Sequence, residues 1–490
     1  MAMLTIFFFL MAELVALCGA GKVEHTFVVS QVSMVHLCKE TLVTVVNGQL
    51  PGPMIEVEEG DSLAIHIVNK SPYGLTIHWH GVKQRLNCWA DGVGMITQCP
   101  IQPNTNFTYR FDVAGHEGTL WWHAPVYSLR ATVHGALVIR PRSPSSYPFP
   151  KPDGEIPIII GDWWEIDLEK LDRMVNRGDN RVWPSAATIN GNLGDLYNHS
   201  GTTMEDNYVL DVEHGNTYLL RITNAALFNE YYLKMPDQND TTTSFYFHGN
   251  LTSLPHPRLP PLMTHVDESL FIALSIGSLH CKPGHGPSCS PSLWVASDSY
   301  LVATMNNISF QLPQTTPLLV AHYYKSMESV QELPDRPVMM YNFTGQVPLQ
   351  PAESRETVVK RFRYNTVVDV VFQSTGVRDS GSNPMHLHGH DMFVLAQGFG
   401  NYDSASDMKR YNLVDPPLRN TIIVPRLGWS AIRFVTKNPG VWFMHCHFGY
   451  HQSSGMAAAF VVEDGPTLNT SLPPLPIDLP ACGQHNTAVE

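Results

Sequence analysis

Residues 445–456 read HCHFGYHQSSGM. In an extended strand, residues i and i+2 share a face. His445 and His447 therefore present two imidazoles on one side, and Cys446 points to the other. His451 and Met456 follow. The same His-x-His pattern recurs at His78-Trp79-His80 and His386-Leu387-His388. It begins again at His123, in Trp121–Pro125 (WWHAP), and stops at Pro125. One such pair is ordinarily a surface or core feature. Three of them, drawn from both ends of the chain, point to a shared metal centre.

Thiolate, imidazole and a distant thioether form the ligand set of a blue-copper electron-transfer site. Zinc also accepts Cys and His, but it needs no thioether and has no redox role to explain the flanking imidazoles. Copper is thus the expected metal. The tripeptide His445-Cys446-His447 then joins two metal centres through a few covalent bonds.

The rest of the chain suits that reading. Its 490 residues exceed one ordinary core. Apolar content of 43% against 15% charged residues describes a folded protein, and a formal charge of −13 argues against a nucleic-acid or anionic-membrane partner. Short β-type runs dominate: 42–46, 62–68, 107–113, 136–140, 157–160, 208–212, 217–222, 367–372, 392–395, 431–435 and 457–462. They are rich in Val, Ile, Phe or Thr and bounded by turn residues, which favours all-β sandwiches or barrels.

The apolar run Leu4–Ala20 ends in small residues, as a secretory signal does, although it lacks basic residues at its start and contains Glu13. It is short for a membrane anchor, and no second run of about 20 apolar residues follows. Sequons at Asn69, Asn106, Asn198, Asn239, Asn250, Asn307, Asn342 and Asn469 favour a glycosylated, secreted chain. Seven cysteines remain beyond the signal, an odd number, and Cys446 is the candidate free thiol. Cys38, Cys88, Cys99, Cys281, Cys289 and Cys482 could form three disulfides, with Cys281 and Cys289 pairing locally across a Gly/Pro loop.

A weak repeat supports duplication. Val46-Asn47-Gly48-Gln49-Leu50 resembles Ile189-Asn190-Gly191-Asn192-Leu193, and each is followed by a tight turn and a strand. Boundaries fit at Arg140–Pro152 and near Pro236–Thr243. The middle segment between them is thin for a sandwich, which takes ~100 residues.

The stretches VNGQLPGP, IHWHG, WADG, QCPI, GTLWWHA, ATVHGALVI, NPMHLHGH, NLVDPPLRNT and PGVWFMHCH together resemble the plant laccases of the multicopper oxidase family. The resemblance runs from about residue 25 to 482. It implies an all-β fold of three cupredoxin-like Greek-key β-sandwich domains: a signal at 1–21, then 22–142, 155–235 (incomplete) and 236–482. It implies four copper ions, O2 and small phenolic, lignin-related substrates as partners, and a place in the apoplast. Site roles follow position by position. His78 and His386 match ligands of a lone copper. His80, His123, His388, His445 and His447 match ligands of paired coppers. Cys446, His451 and an axial Met456 match the mononuclear site. Asp91 matches an acid that assists proton delivery, and Cys99 and Cys482 match a disulfide.

The chain also departs from the family pattern. Pro125 stands where an eighth cluster histidine belongs, and Pro offers no ligating side chain. His116 and His134 lie nearby but lack the i+2 geometry. Asn383 replaces a histidine of the mononuclear site, Gly449 replaces an acid, and His199 replaces a cysteine that would pair with Cys38. Few residues separate Asn229–Met235 from the third-domain region, so a truncated middle domain is expected. Two alternatives accompany the oxidase reading. One is a catalytically impaired copper-binding relative; the other is an oxidase of another reductant such as ascorbate.

Overall fold

Two Asn-Gly reversals show how the repeat is built. Asn47 and Gly48 have φ of 52° and 75°, and Asn190 and Gly191 have 49° and 81°. Two successive left-handed residues make the turn that matches strand twist, which is why Asn-Gly occurs there. Each asparagine then does the same work. Its Oδ1 accepts an N–H at 2.7 Å (Val28 or Ile159), and its Nδ2 donates to a carbonyl at 3.0 Å (Thr26 or Pro157). Asn306, with φ of 47°, makes a third copy between Ala273 N–H and the Phe271 carbonyl.

In all three copies a long strand lies between an antiparallel and a parallel neighbour. Lys22–His36 sits between Lys39–Val46 and Ser62–Asn69. Gly154–Trp163 sits between Ala186–Ile189 and Tyr218–Asn224. Glu268–His280 sits between Ser299–Met305 and Val367–Ser374. The expected duplication is thus a triplication of one sheet plan.

These relations come from a computed structural model that describes residues 20–482, apart from 126–127, 144–145, 177–178, 180–181, 194–207, 232–249, 255–258, 282–298, 328–329, 346–348 and 378–380. The first sandwich packs two four-stranded sheets around Phe27, Ile65, Trp79, Tyr109 and Trp122. The last packs a nine-stranded on a six-stranded sheet around Ile272, Phe372, Trp442 and Phe460. Among the described residues the middle sheet has three strands only. Its Leu220 and Ile222 are exposed, as a shortened sandwich requires.

Three sequence expectations need correction or qualification. Tyr208–Val212 is not a strand; Val209 and Val212 are exposed, with no neighbouring strand among the described residues to pair with. Cys38 and Cys88 are free thiols, so the three-disulfide set fails. Cys38 is exposed in the turn after Lys22–His36, whereas Cys88 is buried with Sγ on the Val441 carbonyl at 3.4 Å. Cys99 does pair with Cys482, and Cys281 is disulfide-bonded. Cys289, His199 and the N-terminal run lie outside the described residues. The Asn69 sequon is also buried: its Nδ2 donates to the Tyr73 and Ile101 carbonyls, and its Oδ1 accepts from Ser71.

Candidate metal centre

Strand register brings the histidines together. His78–His80 pairs with Gly118–His123 so that His78 faces His123. Asn383–Leu387 pairs with Gly440–Cys446 so that His386 faces His445 and Met385 faces Cys446. The two sandwiches meet along these edges and interleave their rings. His78 stacks on His388 at 3.9 Å between centroids, and His80 stacks on His386 at 3.8 Å.

The seven rings are between 1% and 8% exposed. Burial holds His80, His123, His386, His445 and His447 well below the ordinary imidazole range and pushes His388 down to about 4. Neutral imidazole is the form that binds metal. One nitrogen of six rings is already engaged. Nδ1 of His78, His123, His386 and His445 meets the carbonyls of Asp91, Ala124, Asn420 and Cys446 at 2.7–2.9 Å. His388 Nδ1 meets Asp91 Oδ2 at 2.9 Å, and His80 Nε2 meets Thr421 Oγ1 at 2.9 Å. Such outer contacts fix ring orientation and leave the other nitrogen as the free donor atom.

Those free nitrogens converge. His80, His123 and His447 offer ligand atoms within 4.8 Å of one another, and so do His78, His80 and His386. His388 Nε2 and His445 Nε2 face each other at 3.2 Å. Nε2 of His78, His386 and His447 is buried without a hydrogen-bond partner. Buried polar atoms ordinarily find partners, and a set of soft-to-borderline nitrogen donors suits copper. The residues present therefore fit a copper cluster.

Asp91 reaches the cluster through WADG. Gly92 has φ of 78°, and a Cβ there would overlap the Ile77 carbonyl beside His78. Burial opposes ionisation of Asp91, but His388 and His78 outweigh it and hold the carboxyl below its usual range.

Cys446 Sγ points away from the cluster and lies 3.4 Å from His451 Nδ1. Burial pushes the thiol up to about 12 and His451 down to about 4. Met456 is fully buried, and its carbonyl accepts the Cys446 N–H at 3.0 Å. Asn383 Oδ1 is 4.0 Å from Cys446 Sγ, so an amide stands beside the thiol.

Pro125 is buried, and its carbonyl accepts from Gln452 Nε2 at 2.6 Å, which ties the first sandwich to the last. His116 is engaged by the Lys83 N–H and His134 by the Arg130 carbonyl, and neither joins a metal-sized group among the described residues. Gly449 donates its N–H to the Leu227 carbonyl of the middle segment.

Two contributors escape sequence reasoning. Thr421 Oγ1 touches both His80 Nε2 and His386 Nδ1, at 2.9 and 3.1 Å. Arg130 is 1% exposed, donating to the His447 carbonyl at 2.6 Å and to Gln452 Oε1 at 3.4 Å. Thr421 closes the family-like stretch NLVDPPLRNT and Arg130 adjoins ATVHGALVI, which mark their neighbourhood but not their function.

Family models described as multicopper oxidase match residues 28–144, 154–241 and 331–466. Laccase-15 of Oryza sativa subsp. japonica is 50% identical over 566 positions, covering 94% of either chain. Laccase-19 of the same subspecies is 43% identical over 564, covering 95% of either. Those alignments are longer than the 490 residues of this chain, so the relatives carry residues that this chain lacks. The laccase of Botrytis aclada shares the fold, with a TM-score of 0.66, 21% identity, and coverage of 93% of this chain and 90% of its own. The fold is all-β and cupredoxin-like, with a three-stranded middle sheet among the described residues. With its convergent histidines, its Cys446–His451 pair and these relatives, the chain belongs to the multicopper oxidase family, as a copper-dependent oxidoreductase of the plant laccase type.

Proposed function

We propose that this chain is a secreted, apoplastic laccase that takes single electrons from phenolic, lignin-related compounds and delivers four of them to O2, giving water. The observation that carries the reading is the placement of Cys446 directly between His445 and His447, within a set of buried, inward-facing imidazoles. Bound copper supplies one-electron redox change beside Cys446 and a site for O2 reduction among the histidines.

The chain's own residues do the rest. His451 and Cys446 would hold the electron-accepting metal, with the buried Met456 as a weak third donor. The covalent bonds from Cys446 to His445 and His447 would offer electrons a short path from that metal to the cluster. His78 and His386 serve the lone copper. His80, His123 and His447 serve one of the paired coppers, and His388 and His445 serve the other. Pro125 leaves that last pair one imidazole short. Asp91 orients His78 and His388 through their Nδ1 atoms and is the carboxylate placed to assist proton delivery to the cluster. The reading divides the mature chain at 22–142, 155–235 and 236–482. N-glycans are assigned to the exposed Asn106, Asn250, Asn342 and Asn469.

The test is O2 uptake by copper-loaded protein with a simple phenol as reductant. Uptake supports the oxidase. Bound copper without uptake instead supports an impaired copper-binding relative, which Pro125 and Asn383 favour. Uptake with ascorbate alone would name another reductant.

A further inference from the structure

Asn383 is fully buried, and its amide is held in one orientation. Its Nδ2 donates to Ser374 Oγ at 3.3 Å, which turns Oδ1 toward Cys446 Sγ. The sulfur itself belongs to an apolar core with Met385, Met444 and Met456. One strong nitrogen donor, His451 Nδ1, stands next to it. Arg130 lies beneath the same segment. Its bonds run to neutral acceptors, the His447 carbonyl and the Gln452 amide. Asp162 and Asp172 act on it only at longer range.

We infer that the copper at Cys446 rests as copper(I) in air, held by the Cys446 thiolate and His451 as its two strong donors. The inference rests on the multicopper oxidase reading of this site and adds its redox state. Donor chemistry points this way. Thiolate and thioether select copper(I), whereas the oxidised blue site takes two imidazoles and a thiolate in a trigonal plane. A neutral amide oxygen is a weak substitute for the second imidazole.

Charge points the same way. A thiolate with copper(I) is neutral; with copper(II) it carries one net positive charge. Placing that charge in an apolar core costs free energy, and the buried Arg130 guanidinium adds to the cost. The amide, the core and the arginine therefore all favour the reduced ion. A copper so poised accepts an electron readily once oxidised, and it passes that electron to the cluster slowly.

The test uses full-chain, copper-loaded protein equilibrated in air, with metal analysis, the visible thiolate-to-copper(II) absorption band, and copper-edge X-ray absorption. The expected parent shows no visible band and a copper(I) edge component. Cys446→Ser then loses one copper per chain together with that component. Asn383→His gains the band. Should that variant fail to fold, the parent treated with hexachloroiridate(IV) gains the band and loses it again on adding ascorbate. A full-intensity band in the untreated parent overturns the inference while leaving the oxidase reading intact. So does a Cys446→Ser copper count equal to the parent's, because the site is then empty. So does oxidant treatment that yields no band. Absence of copper from the parent altogether overturns the copper-site reading as well.

Discussion

At the scale of single residues, the site depends on side chains that hold rings rather than metal. Thr421 Oγ1 bridges one histidine from each sandwich. Removing such an outer contact costs about 10–100-fold in metal affinity. Thr421→Val is therefore expected to release copper to a chelator about 10-fold more readily, and Thr421→Ser is expected to restore retention. Equal retention in all three proteins would leave Thr421 without that role. Pro125→His together with Asn383→His restores both missing imidazoles. The double variant is expected to bind more copper and to oxidise phenols faster than the parent. No gain in either would contradict the ligand assignment. Sequence makes the ligating residue types legible, because His-x-His and His-Cys-His declare themselves by spacing. It cannot make Thr421 or Arg130 legible, because a threonine bridging two rings and a buried arginine on a carbonyl have no local signature.

At the scale of elements, one asparagine turn recurs three times. Sequence shows two copies, Asn47-Gly48 and Asn190-Gly191. The third, Asn306-Asn307, hides because its second residue is not glycine and its flanks differ. It is also the most demanding copy, since Asn306 is fully buried and donates to the Phe271 and Pro334 carbonyls while accepting from Ala273. Leaving buried backbone groups unsatisfied costs about 1–3 kcal/mol each. Asn306→Ala is expected to lower stability by about 3 kcal/mol in denaturant unfolding, and Asn47→Ala, at an exposed turn, by about 1 kcal/mol. Equal losses would mean that burial does not grade these turns. The strand runs read from the sequence mostly form strands. Tyr208–Val212 does not, because propensity without a pairing partner does not make a sheet. Glu268–His280 is the converse case. Leu270, Ile272, Leu274 and Ile276 are buried at every second position, but Phe271 and Ala273 between them blur the alternation.

At the scale of the whole molecule, the cluster exists only where the first and last sandwiches meet, with Cys99–Cys482 linking the first sandwich to the C-terminal segment. Histidines outside the cluster are buried as well. Burial pushes His116 and His134 down to about 4, whereas an unfolded histidine titrates near 6.5. Above about 6.5 neither state is protonated and the folded form keeps its full stability. As pH falls from about 6.5 toward 4, the unfolded chain takes up protons that the folded chain cannot, so stability declines. The melting temperature of copper-loaded protein is expected to fall between pH 7 and pH 5, and less steeply in His116→Gln. A flat profile would contradict the buried, neutral state of these rings. The family and the all-β fold class were legible because the family-like stretches span the chain. The shortened middle sheet was legible only as a length deficit, and which strands remain in it depends on pairing that no local pattern encodes.

The proposed function requires one chain to couple one-electron oxidation of a phenol to four-electron reduction of O2. Simultaneous measurement of O2 consumed and phenol oxidised by copper-loaded protein tests it most directly. Slow uptake is expected, with four phenol oxidations per O2 and no accumulating peroxide. Bound copper with no O2 uptake, or peroxide accumulating with two oxidations per O2, would contradict it.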